Sequence, residues 1–315
     1  KSMTITERID ASKSILIIGH QRPDGDCIGA GLALKHVCEN HGKPCDFIFD
    51  SPVPQHFSFM PDFGSLNEQK LREYDTVICV DCADDFRTGK YIGYVNKAAN
   101  SLNIDHHKTN NRFCKDNEVV PDASSTCEVL FDLLHPLGEI DDTVAYCLFV
   151  GLSTDTGHFM HSNTNARVFQ IAAELSKHDI NPNDIAGNIY KKATAGKVKL
   201  ISKAISSMRF FADGKICVIS VKLSDLSDCD CVLADTEGLI DYGMMIGDVC
   251  VAVCITEQAA SKFKVSYRSK GMDVSAAAAV FGGGGHKLAA GCSINGRYED
   301  VVAKVVKSVT DGMPL

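Results

Sequence analysis

No apolar run in the 315 residues approaches the ~18 side chains that a membrane-spanning helix requires. The opening residues also lack the basic start, apolar stretch and small-residue cleavage site of a secretory signal. A cytoplasmic protein with no membrane partner is therefore expected. Basic charge is in short supply: Lys and Arg total 32 against 40 for Asp and Glu, a formal net charge of -8. Bulk electrostatics thus predict no broad cationic face for long double-stranded DNA, so any anionic ligand must be held by local features. Internal repeats and low-complexity tracts are absent. With 45% hydrophobic and 23% charged residues, the composition excludes disorder, collagen-like repeats and coiled-coil rods.

What is present suits two domains, at roughly 100–200 residues each. Cysteine is abundant, with 14 residues. Reduced thiols are expected rather than a disulfide framework: a chain of this length needs no staples, and Cys147, Cys217, Cys250 and Cys254 lie inside apolar runs. Cys79-Val80-Asp81-Cys82 is formally a C-x-x-C, but no second pair completes a four-cysteine zinc site.

The first half alternates short apolar runs with helical patterns. Ser14–Ile18, Asp46–Phe49, Thr76–Val80 and Leu102–Ile104 read as strands, while Cys27–Asn40, Thr126–Leu134, Thr143–Leu152 and Thr164–His178 read as helices. That alternation predicts a parallel sheet covered by helices. Asn181-Pro182 then opens a helical, lysine-rich stretch running toward Phe210, the candidate linker. Beyond it, Lys215–Val221, Asp248–Ile255 and Phe263–Arg268 read as strands, the last two as an antiparallel pair. An alanine-rich helix at Val274–Val280 leads into four consecutive glycines, 282–285.

Four chemically distinctive groups stand at the exits of apolar segments. They are His20 with Asp24 and Asp26 in Gly-His-Gln-Arg-Pro-Asp-Gly-Asp, then Asp81, then Asp105-His106-His107, then Asp155 in Ser-Thr-Asp-Thr-Gly. In a parallel sheet such exits share one edge, where ligands collect. Carboxylates gathered there would repel one another unless cations neutralised them. Carboxylate and imidazole oxygen and nitrogen donors suit manganese or magnesium, and two such ions can activate water for in-line attack at phosphorus.

Near the other end, Gly284 and Gly285 precede His286-Lys287. Consecutive glycines let backbone N–H groups approach a phosphate, and a helix starting at His286 would add its positive end. No Gly-Lys-Ser/Thr follows at P-loop spacing. Arg268, next to Ser269, ends a strand just before this loop and suits forked phosphate contact.

In order and spacing, these residues together with Ala123-Ser124-Ser125-Thr126 resemble the DHH phosphoesterase superfamily, in its two-domain branch with a C-terminal DHH-associated domain. The resemblance implies an α/β fold with a DHH metal-binding domain (1–188), a helical linker (189–210) and a smaller mixed-sheet domain (211–315), with the active site in the interdomain cleft. It implies one metal on His20, Asp24, Asp81 and Asp155 and another on Asp26, Asp81, His106 and Asp155, manganese being preferred to magnesium. Asp105 would orient His106, and His107 would face the scissile phosphate. Arg268, Ser269, Gly284, Gly285 and His286 would bind substrate.

Short two-domain members resemble nanoRNases, which cut oligoribonucleotides to 5′-mononucleotides and often remove the 3′-phosphate of 3′-phosphoadenosine 5′-phosphate (PAP). The alternatives carried forward are a cyclic-dinucleotide phosphodiesterase and a non-catalytic nucleotide-binding module. Pyrophosphatases share the N-terminal motifs but lack the glycine-histidine element, and the single-strand exonuclease branch carries an added domain for which no segment is left. A homodimer is carried forward as the assembly to test.

Overall fold

Ile15, Leu16, Ile17 and Ile18 are all buried because both faces of their strand are covered, which is why the run is continuously apolar. Ile15 and Ile17 join one core, while Leu16 and Ile18 join another on the opposite face. The computed structural model describes residues 3–71, 73–190 and 193–313. It divides into two compact units, Lys1–Lys192 and Ala193–Leu315.

In the first unit the strands are β1 (Ile15–Gly19), β2 (Cys45–Ile48), β3 (Thr76–Val80), β4 (Asn100–Asp105) and β5 (Asp116–Val119). They form one parallel sheet in the order β2-β1-β3-β4-β5. Its helices are α1 (Ile5–Ala11), α2 (Gly25–Asn40), α3 (Ile92–Lys97), α4 (Thr126–Leu134), α5 (Asp142–Asp155), α6 (Ala166–Leu175) and α7 (Pro182–Tyr190). Leu34 of α2, Leu130 of α4 and Leu148 of α5 fill the larger core, and Val95 of α3 packs under the other face.

The helices α2 and α5 approach closely because both carry glycine where they cross. A Cβ at Gly29 would meet the Cys147 carbonyl oxygen at 2.5 Å, and one at Gly25 would meet the Thr154 hydroxyl at 2.5 Å. This crossing carries the end of α5 to the same sheet edge as the start of α2.

The second unit holds α8 (Ala195–Ser206), β6 (Arg209–Phe211), β7 (Ile216–Val221), α9 (Leu223–Asp228), α10 (Leu239–Met244), β8 (Val251–Ala259), β9 (Lys262–Ser269), α11 (Val274–Ala279), β10 (Gly284–His286), β11 (Ala289–Asn295) and α12 (Tyr298–Thr310). The strand order is β10-β11-β9-β8-β7-β6, parallel only between β7 and β8. Alternation along β8 sends Val251, Val253 and Ile255 to a core with α11 and α12, and Ala252 and Cys254 to one with α8 and α10. Of the stretch 189–210, residues 191 and 192 lie outside the described residues, and Leu200 and Ala204 of α8 are buried in this second core.

The helix expected to start at His286 is instead a β-hairpin, with His286 opposite Ala289. Gly283 and Gly285 serve close strand packing, since a Cβ at Gly285, whose φ is 146°, would meet the Ala289 carbonyl oxygen at 2.5 Å, whereas one at Gly284 would meet nothing within 4 Å. Among the described residues, all 14 cysteines are free thiols, and no helix is long and apolar enough to cross a membrane.

Candidate metal centre

Because β1, β3 and β4 are parallel and adjacent, the residues that follow them emerge at one edge: His20 after β1, Asp81 after β3, and His106 and His107 after β4, whose last residue is Asp105. The turn after His20 delivers Asp24, the N-cap of α2, whose Oδ1 accepts from the Cys27 N–H at 3.0 Å. Asp26 lies in the first turn of that helix, and Asp155 is the last residue of α5.

These side chains meet. His20 Nε2 stands 3.7 Å from Asp24 Oδ1 and 3.3 Å from Asp81 Oδ2. His106 Nε2 lies 3.7 Å from Asp81 Oδ1, 3.7 Å from Asp155 Oδ2 and 4.0 Å from Asp26 Oδ2. Asp81 therefore reaches the two histidines with different oxygens. Its backbone, at φ 60°, lies in the left-handed region, so the chain turns at the strand exit while the Asp81 N–H still donates to the Ile104 carbonyl at 2.9 Å.

Asp26 is 1% exposed and accepts from the N–H groups of Thr126 (2.7 Å) and Cys127 (3.0 Å) at the start of α4. The Thr126 hydroxyl donates to Asp81 Oδ1 at 2.7 Å. Even with these donors, burial and the charges of Asp81, Asp155 and Asp24 hold the Asp26 carboxyl well above the usual carboxylate range. Burial, with Asp81 and Asp24, pushes Asp155 up to about 6, against the pull of His106 and His107. Carboxylates gathered at one sheet edge beside imidazole nitrogens form a set that fits divalent cations, whose charge would relieve the repulsion.

One role differs from expectation. Asp105 does not hold His106, whose Nδ1 lies 3.3 Å from the Ala123 carbonyl oxygen. It binds His107 instead, with Asp105 Oδ1 at 2.8 Å from His107 Nδ1. Alternation explains this, because residues 105 and 107 share one side of an extended chain. The Asp105 hydrogen bond is the main reason that the His107 pKa is raised above its ordinary value.

A match to the DHH family, N-terminal domain, covers residues 14–152, and a match to the DHHA1 domain covers 234–312. The chain is 30% identical over 307 residues to the bifunctional oligoribonuclease and PAP phosphatase NrnA of Thermus thermophilus, an alignment spanning 94% of this chain and 90% of that protein. The chain belongs to the DHH family. Another DHH relative, the bifunctional oligoribonuclease and PAP phosphatase NrnA of Mycoplasma genitalium, is 27% identical over 328 residues, spanning 98% of this chain and 99% of that protein. A crystal structure of an exopolyphosphatase-related protein from Bacteroides fragilis superposes with a TM-score of 0.86 at 26% identity, covering 97% of this chain and 94% of that one.

In the DHHA1 unit, register places Arg268 of β9 opposite Ala289 of β11, and Ala289 opposite His286 of β10, so Arg268 and His286 stand in one row. Gly284 and Gly285 share the strand with His286, and all three are exposed. Ser269 is buried, and its hydroxyl accepts from the Gly271 N–H at 3.1 Å.

Three further DHH-unit residues were not singled out for these roles in the sequence. Thr126 supports Asp81. Asn110 donates to Asp105 Oδ2 at 2.6 Å and to the Cys82 carbonyl at 3.0 Å. Cys27 places its sulfur within 4.8 Å of ligand atoms of His20 and Asp81. Asn110 had a local signal, since its Oδ1 accepts from the Arg112 N–H at 2.7 Å in an Asx turn.

Proposed function

We propose that this chain hydrolyses short oligoribonucleotides to 5′-mononucleotides and removes the 3′-phosphate of PAP. The observation that carries the proposal is the convergence of His20, Asp24, Asp26, Asp81, His106 and Asp155 at one sheet edge. The names of the two NrnA relatives, each aligned over most of its length, support the substrate class.

His20, Asp24, Asp81 and Asp155 would hold one divalent metal, and Asp26, Asp81, His106 and Asp155 the other, with manganese preferred. Bound there, the ions would neutralise the carboxylates and the phosphate and lower the pKa of a nearby water. The chain's own contribution is orientation and a proton. Thr126 fixes Asp81, and the α4 amides fix Asp26. His107, held at Nδ1 by Asp105, keeps Nε2 free. As the water oxygen bonds to phosphorus and the bond to the ribose 3′ oxygen breaks, His107 gives its Nε2 proton to that leaving oxygen. In the second unit Arg268, Ser269, His286 and the backbone of Gly284 and Gly285 would be the anion-binding groups for substrate.

Purified protein with manganese is expected to consume both diadenylate and PAP, followed by chromatography of the products. Both substrates left intact would overturn the proposal. Asp105→Asn is expected to lower kcat about 10- to 100-fold. Because Asp105 is what raises the His107 pKa, the alkaline limb of the pH–rate profile should also move to lower pH. An unshifted limb would remove His107 as the proton donor.

A further inference from the structure

The edge that gathers the metal ligands carries a second set of side chains that the chemistry above does not use. Phe86 is 85% exposed. It lies in a 3-10 helix, Asp85–Tyr91, that begins shortly after Asp81. Its two neighbours are tied to the loops on either side. The Arg87 carbonyl accepts from the Gln21 N–H at 2.9 Å, in the loop of His20, and Asp85 Oδ1 accepts from Asn111 Nδ2 at 3.0 Å, in the loop of His107. The Asn111 N–H also donates to the Ala83 carbonyl at 3.0 Å. Phe86 is thus held between the two histidine loops with its ring in solvent.

In the three loops tied together here, Arg22, Arg87, Lys108 and Arg112 are exposed. Among the described residues, none of these four side chains has a hydrogen bond or ion pair, although the chain as a whole is acidic. The acidic neighbours are occupied: Asp84 accepts from the Arg87 N–H at 3.0 Å, Asp85 holds Asn111, and Asp50 pairs with Lys90. Arg22 and Arg112 have φ values of 57° and 54°, a backbone that costs energy for side chains of this kind and is often retained at binding sites. An aromatic face set among unpaired cations is what a single-stranded nucleic acid binds, through base stacking and phosphate contact. A purely apolar protein partner would leave those cations without partners.

We propose that Phe86 is a stacking platform for a base of the oligoribonucleotide beyond the two nucleotides that flank the scissile bond, with Arg22, Arg87, Lys108 and Arg112 contacting its phosphates. The proposal rests on the reading of the chain as an oligoribonucleotide hydrolase and adds a length preference to it. PAP and dinucleotides have no base to place there, whereas trinucleotides and longer substrates do.

Two measurements test it. In the presence of manganese, Phe86→Ala is expected to lower the trinucleotide-to-dinucleotide ratio of kcat/KM about tenfold, with Phe86→Tyr restoring it. An unchanged ratio, or equal loss on both substrates, would overturn the proposal. With chelator present and turnover off, a trinucleotide carrying 2-aminopurine at the third base should be quenched by the parent protein and not by Phe86→Ala. Absence of quenching by the parent overturns the platform even if hydrolysis proceeds, whereas quenching without hydrolysis of any oligonucleotide counts against the catalytic reading alone. If Phe86→Ala instead changes the mass in solution by light scattering and leaves the ratio intact, the ring belongs to a contact between copies of the chain and the proposal fails.

Discussion

Asp81→Asn is expected to lower kcat on a diribonucleotide by about a thousandfold or more, several kcal/mol of transition-state stabilisation. Asparagine keeps the shape and tolerates the left-handed backbone at this position, so the loss reports charge rather than folding. Asp81 is the residue whose two oxygens lie within 4 Å of both His20 and His106, so both metal positions should weaken together. Bound manganese by elemental analysis should therefore fall along with kcat. Arg268→Ala provides the contrast: its side chain stands on the separate DHHA1 sheet, and its loss should raise KM more than it lowers kcat. Equal kcat effects from the two substitutions would contradict this division of labour.

Removing metal should expose the carboxylate repulsion as a stability difference. Asp155 has its carboxyl pushed up to about 6 by burial, with Asp81 and Asp24 adding to it. A carboxyl raised in this way contributes to the stability of the metal-free fold below its ordinary pKa, and that contribution is lost as the pH rises through about 6. In chelator at pH 7.5, Asp155→Asn should therefore melt a few degrees above the parent, and at pH 4.5 the difference should shrink toward zero. Added manganese should reverse the order at pH 7.5, because only the parent keeps the full ligand set. Thermal melts in these three conditions decide it. A variant less stable than the parent in chelator at pH 7.5 would mean that Asp155 is not electrostatically strained.

Of the proposed metal ligands, His20, Asp81 and His106 were legible because each follows an apolar strand and adjacent parallel strands send such exits to one edge, whereas Asp24, Asp26 and Asp155 reach that edge on α2 and α5. Strand β3 was expected over Thr76–Val80 and is found there, since five buried residues in a row leave little ambiguity. Strand β5 was not expected: Asp116–Val119 is a polar edge strand with no apolar signal. Strand β11 was missed for a related reason, as Ala289-Ala290-Gly291 has none of the branched or aromatic residues that mark strands. The glycine run was read for its freedom to approach a phosphate, but closeness to β11 also requires glycine, and spacing alone does not separate the two demands. The partner of Asp105 was misassigned because sequence adjacency favoured His106, whereas pleat geometry puts His107 on the same side.

The left-handed backbone at Asp81 has a consequence for how stable this protein is. Glycine would adopt that conformation without the steric penalty, a difference of roughly 1 kcal/mol. Glycine would also leave the buried Thr126 hydroxyl, which donates to Asp81 Oδ1 at 2.7 Å, without its acceptor, at a cost of about 1–3 kcal/mol. Heat selection alone should therefore keep at position 81 a residue that tolerates the left-handed backbone and still accepts from Thr126, which makes Asp81→Asn rather than Asp81→Gly the expected stable and inactive outcome.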